Sequence, residues 1–182
     1  MYGMDVLFEE HRNIVKFVGV LKKKCCEMID NKSVNVDEMM EFANFASNYA
    51  DKHHHVKEEK VLFRLMLEEL GPVADKVVRA GMFVEHDLAR FTISQWKEAL
   101  KKYSENPSTE NLLDVITNAS SYADLLNRHA EKEDNAVYTF AMRSLSKEAM
   151  ETVDKETKAL EDEAMKNGIQ DKYLSWLKKY LN

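Results

Sequence analysis

Residues 51–63 read DKHHHVKEEKVLF, three adjacent histidines followed by two adjacent glutamates and an apolar tail. Imidazole nitrogens and carboxylate oxygens are common metal ligands. A His-x-x-x-Glu spacing places one of each on the same face of a helix. Because an α-helix turns about 100° per residue, three neighbouring imidazoles point in different directions and cannot all serve one site.

The apolar face of this segment predicts which of these residues point inward. Steps of 3.6 residues back from Leu70 reach Glu59 and His55, so we expect this pair to face the core. His54 and Glu58 are also four residues apart, but the same register places them on the flank of the helix. This register leaves His53, the remaining histidine of the run, partly solvated.

Three further histidines lie on the apolar faces of their own segments. They are His11, His86 and His129, and Glu133 follows His129 at the spacing seen in residues 51–63. The interval from the first to the second of the four inward histidines nearly equals that from the third to the fourth. The chain therefore has the pattern of two similar helical hairpins.

The rest of the sequence predicts helices that could position these groups. The chain contains only 5 Gly and 2 Pro, too few for the many turns of a β fold. Apolar residues recur every three or four positions in four long segments: Met4 to Ile29, Phe42 to Leu70, Met82 to Tyr103 and Leu112 to Phe140. We expect an all-α, up-down-up-down antiparallel four-helix bundle over residues 1–145.

Residues 146–182 predict a C-terminal helical extension that packs on the bundle or on a partner. Its last part carries an apolar stripe that includes Tyr173, Trp176 and Leu177. A homo-oligomer formed through these helices is one expectation.

Charge and composition exclude several classes of partner. The net charge is −6 and lysines are interleaved with acidic residues, so no basic surface for nucleic acid is expected. No stretch has the roughly 20 apolar residues of a membrane span, and the start of the chain does not resemble a secretion signal. Cys25 and Cys26 are adjacent and cannot join distant segments, so we expect reduced thiols and a cytoplasmic protein.

The set of inward residues predicts a metal centre. A single inward histidine is usually a core residue hydrogen-bonded to a neighbour, but two inward glutamates have a burial cost that a metal would offset. Nitrogen and oxygen donors without thiolate suit iron or manganese. The predicted ligands are His11, His55, Glu59, His86, His129 and Glu133. If both carboxylates bridge, this set fits two ions with two histidines each.

The order of His11, HVKEEKVLF, EHDLAR and HAEKEDNAVY resembles the hemerythrin-like family of HHE cation-binding domains over residues 5–145. The resemblance implies a non-haem di-iron centre with an oxo or hydroxo bridge, manganese being the less favoured metal. It also implies that the six predicted residues are the ligands, the histidines terminal and the glutamates bridging. Dioxygen, peroxide or nitric oxide would be the small-molecule ligand.

One position departs from the oxygen carriers of that family, which have a fifth histidine where this chain has Arg90. Four histidines would leave both ions open, which favours redox chemistry. The resemblance to the four-histidine branch of the family implies a role in oxidative or nitrosative stress or in iron-centre repair. Asp134 has the spacing of the carriers' bridging aspartate, but Glu133 lies on the core face and is preferred. A further ligand could come from a tyrosine or from Glu85.

Three functions therefore remain open at this point. The first is a di-iron protein that binds oxygen species or nitric oxide, with or without reducing them. The second is a sensing module whose C-terminal helices pass a change at the centre to a partner. The third is iron storage. No separate catalytic residue is predicted.

Overall fold

The computed structural model describes residues 1–181, and the elements in this range are helical. The α-helices are α1 Tyr2–Asn31, α2 Val36–Phe45, α3 Phe63–Glu69, α4 Gly71–Val77, α5 Phe83–Glu105, α6 Thr109–Lys132, α7 Tyr138–Ser144, α8 Lys147–Lys166 and α9 Ile169–Lys178. Four segments are π-helical: Ala46–His55, Glu58–Leu62, Val78–Met82 and Glu133–Val137. Of the helices in the described range, none has both the length and the apolar character needed to cross a membrane.

These elements form four rods. α1 is the first; residues 36–69, 71–105 and 109–144 form the second, third and fourth. α1 packs against α6, α6 against α5, and α5 against α2, while the π-helical segment Ala46–His55 contacts both α1 and α5. The four rods therefore close a ring, which confirms the predicted helical bundle.

Two apolar clusters fill the ends of the bundle and show the direction of each rod. We name each cluster after the C-terminal helix that contributes residues to it: α9 contributes to the α9 cluster and α8 to the α8 cluster. The first and third rods run from the α8 cluster to the α9 cluster, with Leu7 before Phe17 and Met82 before Trp96. The second and fourth rods run the opposite way, with Phe45 before Phe63 and Leu126 before Val137. The bundle is therefore up-down-up-down.

Side-chain caps begin several of the helices. Asn35 Oδ1 accepts a hydrogen bond from the Glu38 amide and so caps α2. Ser108 caps α6 in the same way, and Ser146 caps α8. Each cap satisfies one of the backbone amides that a helix start leaves without a partner.

The C-terminal helices lie against the first and second rods. α8 packs on α1 and on the π-helical segment Glu58–Leu62, and α9 packs on Ala46–His55. Tyr173 and Leu177 of α9 are buried, and Trp176 packs edge-on against Phe42 with ring centroids 4.8 Å apart. The apolar stripe of α9 therefore covers one end of the bundle.

The contact between α1 and α8 depends on a glycine. The Gly3 amide donates to Asp154 Oδ1 at 2.7 Å. A Cβ atom at Gly3 would lie 2.8 Å from Val153 Cγ1 and 3.0 Å from the Val153 carbonyl oxygen. Only a residue without a side chain lets the two helices approach this closely.

We expect Gly3→Ala to lower the free energy of unfolding by about 1–3 kcal/mol, because the added methyl overpacks the α1–α8 contact. Gly19→Ala is the control, since no heavy atom lies within 4 Å of its added Cβ. Gly19 is an exposed residue within α1, so alanine there should raise stability by about 0.5–1 kcal/mol. Urea unfolding of both variants measures the difference, and a stabilising Gly3→Ala would contradict the close contact.

Candidate metal centre

Five imidazoles and two carboxylates meet between the α8 cluster and the α9 cluster. Every rod contributes, and all seven side chains are buried: His11, His54, His55, Glu58, His86, His129 and Glu133. They lie at the height along the bundle axis where each rod passes from one apolar cluster to the other. Polar groups that the rods bury here have little access to water.

The seven side chains form two groups whose donor atoms lie within 4.8 Å of one another. The first group is His55, Glu58, His86 and His129; the second is His11, His54, Glu58 and Glu133. Glu58 belongs to both groups. Glu133 Oε2 also lies between them, 3.2 Å from His11 Nε2 and 3.2 Å from His129 Nε2. Both carboxylates are therefore placed to connect two ions.

Several of these donor atoms have no hydrogen-bond partner. They are His54 Nε2, both ring nitrogens of His55, Glu58 Oε2 and both carboxylate oxygens of Glu133. Leaving a buried polar atom unpaired costs about 1–3 kcal/mol, and more for a charged group. So many unpaired nitrogen and oxygen donors around one point fit the coordination shell of metal ions.

A second layer of carboxylates orients the imidazoles. Four histidines each pair through Nδ1 with an acid: His11 with Asp134 at 2.6 Å, His54 with Glu10 at 2.9 Å, His86 with Glu59 at 2.7 Å and His129 with Glu85 at 2.9 Å. The fifth, His55, has Asp51 Oδ1 at 3.4 Å from Nδ1. A carboxylate accepts the Nδ1 proton, which leaves the Nε2 lone pair free for a metal.

The structure corrects the predicted register of the second rod. Glu59 lies outside both groups, and its side chain is 25% exposed. His54 and Glu58, expected on the flank, are fully buried and belong to the groups. The glutamate of the centre is thus Glu58, and the second rod supplies two histidines rather than one.

The π-helical segments explain this difference. In a π-helix each amide bonds the carbonyl five residues back, so a turn contains more residues than an α-helical turn. The segment Glu58–Leu62 lies between Leu70 and the histidines, and it shifts the inward row by one position. Stepping by 3.6 residues therefore reached Glu59 and His55 instead of Glu58 and His54.

The other predicted residues occupy distinct places. His11, His86, His129 and Glu133 come together with His55 as expected. Asp134 contacts the outer nitrogen of His11, so the structure favours Glu133 over it as the inner carboxylate. Glu85 likewise supports His129 from outside.

Two further residues border the centre. Arg90, where the carriers have a fifth histidine, donates to Asp51 at 2.8 Å and to Glu59 at 2.7 Å. It thereby holds two of the acids that face the imidazoles, Asp51 beside His55 and Glu59 beside His86. The Tyr138 hydroxyl donates to Glu58 Oε1 at 2.5 Å and lies 3.3 Å from His11 Nε2. A tyrosine was one candidate for a further ligand, but the sequence did not indicate which tyrosine.

The electrostatics of the metal-free centre separate the two inner carboxylates. Burial and the negative charge of Glu133 raise the pKa of Glu58 well above its usual range. Burial alone would raise the pKa of Glu133 too, but His129 and His11 hold it well below its usual value. Burial would lower the pKa of His11, yet the hydrogen bond to Asp134 and the nearby carboxylate of Glu133 raise it to about 9. Metal ions would replace the protons held here.

A four-helix bundle with two histidine–carboxylate groups at its centre defines a class of metal-binding proteins. The family model of the hemerythrin HHE cation binding domain matches residues 2–141. The chain therefore belongs to this family, whose domain binds cations. Searches of curated proteins and of solved structures found no match.

Glu58→Gln should stabilise the metal-free protein. The folded-state pKa of Glu58 is raised, so ionisation opposes folding and the metal-free fold loses stability as the pH rises above the unfolded value of about 4.3. Glutamine cannot ionise and still accepts the Tyr138 hydrogen bond. We expect a gain of about 1 kcal/mol at pH 7 and a weaker pH dependence in urea unfolding.

The adjacent Glu59→Gln is the matched control and should change stability in the opposite direction. Burial would raise the pKa of Glu59, but His86 and Arg90 lower it. Its charge therefore stabilises the fold above the unfolded pKa, and the amide should cost about 1 kcal/mol at pH 7. The same sign for both variants would contradict the observed register.

Proposed function

We propose that the chain is a non-haem di-iron protein that binds dioxygen, nitric oxide or peroxide at one open position. One observation carries this proposal: the nitrogen donors are shared unequally between the two groups. The first has His55, His86 and His129, whereas the second has only His11 and His54. With Glu58 and Glu133 bridging, an ion in the second group has one fewer protein ligand.

The donor types support iron. The two groups contain imidazoles and carboxylates without thiolate, a set that suits iron, with manganese as the alternative. Cys25 is buried in the α9 cluster and Cys26 is exposed, so neither belongs to the groups. A bound iron pair would supply reversible electron transfer and affinity for diatomic ligands.

The protein's own residues would position the ions and shape the space beside them. The outer carboxylates hold the histidine rings with Nε2 inward. Tyr138 orients Glu58 and presents its hydroxyl next to His11, at the group with fewer nitrogens. The apolar clusters on both sides keep water from this space, which strengthens polar contacts within it.

The fifth nitrogen donor changes the balance between the hypotheses. Four histidines would have left both ions open, the arrangement that favoured reduction of the ligand. His54 brings the donor count to five, and this supports binding at one ion over chemistry at two. Reduction of the ligand remains the alternative, and the outcome of mixing experiments separates them.

The first test is the iron content of histidine variants. His54→Ala and His55→Ala should each lower the iron bound per chain below two, because each removes an inner nitrogen. His53→Ala is the control: His53 contacts Glu10 but supplies no nitrogen to either group, so with excess ferrous iron the content should stay near two. Metal analysis of purified protein reconstituted with ferrous iron measures this. Equal loss in all three variants would argue against the proposed ligands.

The second test uses the reduced, iron-loaded protein mixed separately with nitric oxide, dioxygen and peroxide. One open position predicts one nitric oxide bound per chain, released when the gas is removed. Stopped-flow absorbance and a nitric oxide electrode follow the binding. Continued consumption of nitric oxide or peroxide with added reductant would instead support turnover, and the absence of any response would support storage.

A further inference from the structure

A buried ion cluster lies directly behind His54. Lys57 is 1% exposed, and its Nζ lies 2.7 Å from Glu10 Oε1 and 2.6 Å from Glu161 Oε1. His53 also reaches the cluster, with Nε2 2.8 Å from Glu10 Oε1. A buried ammonium between two buried carboxylates is strongly held, because removing one partner leaves an uncompensated charge.

Glu10 connects this cluster to the candidate metal centre. Its Oε1 atom contacts Lys57, while its Oε2 atom accepts the hydrogen bond from His54 Nδ1 at 2.9 Å. The position of the carboxylate is thus set on one side by the ammonium. On its other side, the carboxylate sets the orientation of the His54 ring.

The far end of the cluster belongs to the C-terminal helices. Glu161 lies on α8, and Gln170 of α9 donates a hydrogen bond to Glu161 Oε2. Contacts therefore run from α9 and α8 through Lys57 and Glu10 to His54. The other four histidines have Asp51, Glu59, Glu85 and Asp134 at Nδ1, all in the second, third and fourth rods. The cations that bind these acids, Arg90 and Lys132, lie in the third and fourth rods as well. The support of His54 is distinct in reaching the extension.

The cluster resembles a third cation site but already contains a cation. Donor atoms of Glu10, His53 and Glu161 lie within 4.8 Å of one another. The Lys57 ammonium contacts all three residues, at 3.1 Å from His53 Nε2 and at the distances given for the two acids. A further ion would have to displace it. The cluster is therefore a support and not an additional metal site.

We propose that Glu161 is a positioning residue for His54, acting through Lys57 and Glu10. Docking of α8 on the bundle then sets how tightly the second group holds its ion, while the first group is unaffected. This inference rests on the proposed two-ion centre. Loss of an outer partner of a metal-ligating histidine typically weakens metal binding about 10–100-fold.

The test compares Glu161→Gln with Glu156→Gln. Glu156 is also on α8 and also binds a cation of the second rod, Arg64, at 2.8 Å. Unlike Lys57, Arg64 contacts none of the acids that face the histidines of the centre; its other partners are Glu68 and the Lys60 carbonyl. Cobalt(II) binding to the metal-free full-length protein, followed by visible absorption and by competition with a chelating dye, gives the affinity of each ion. For Glu161→Gln we expect one ion about 10-fold weaker and the other unchanged. Glu156→Gln should bind like the wild type.

The double variant Lys57→Met, Glu161→Met keeps the test decisive if Glu161→Gln does not fold. It removes both charges of the pair together, a change that buried ion pairs often tolerate. It should fold and still show the weakened second ion, because Glu10 loses the ammonium that positions it. Two wild-type affinities in folded Glu161→Gln, or equal weakening of both ions, would overturn the inference. A wild-type protein that takes up fewer than two ions would overturn the two-ion centre as well.

Discussion

The burial of two carboxylates in the middle of a helical bundle is the constraint on which the rest of this structure depends. Glu58 and Glu133 have no access to solvent. The imidazoles of His11 and His129 lie 3.2 Å from Glu133, and the Tyr138 hydroxyl donates to Glu58. In apolar surroundings such groups need protons or cations for compensation. The five histidines, their five outer acids and the Tyr138 hydroxyl all compensate these two charges or orient the groups that do so.

The same constraint gives meaning to the unusual helical geometry. Each inner glutamate begins a π-helical segment, Glu58–Leu62 in the second rod and Glu133–Val137 in the fourth. A π-helical turn changes which residues face inward without ending the helix. In the second rod it lets His54, His55 and Glu58 all reach the centre while Phe63 and Met66 continue the core. The two hairpins thus share a design that includes their irregular turns.

Much of this arrangement could be predicted from the sequence. The amphipathic segments predicted the four rods, and the apolar faces placed four inward histidines together with Glu133. The choice between Glu58 and Glu59 could not be made, because it depends on one extra residue in a turn and no residue type marks a π-helical segment. Spacing could not decide either, because His54 and Glu58, like His55 and Glu59, are four residues apart as His129 and Glu133 are.

The outer acids were beyond prediction for a different reason. Glu10 reaches His54 and Glu85 reaches His129 across the interfaces between rods, so these pairs depend on how the rods are rotated and aligned. Periodicity within one helix contains no such information. The same holds for Arg90, which binds two carboxylates of another rod, Asp51 and Glu59.

The buried ammonium of Lys57 also bears on how many ions the bundle can hold. Three donor groups surround it, and in a storage protein such a pocket would be a natural place for the next ion on a path inward. Here a tethered positive charge already fills it. The Lys57 ammonium therefore leaves no room for a further cation between these three groups.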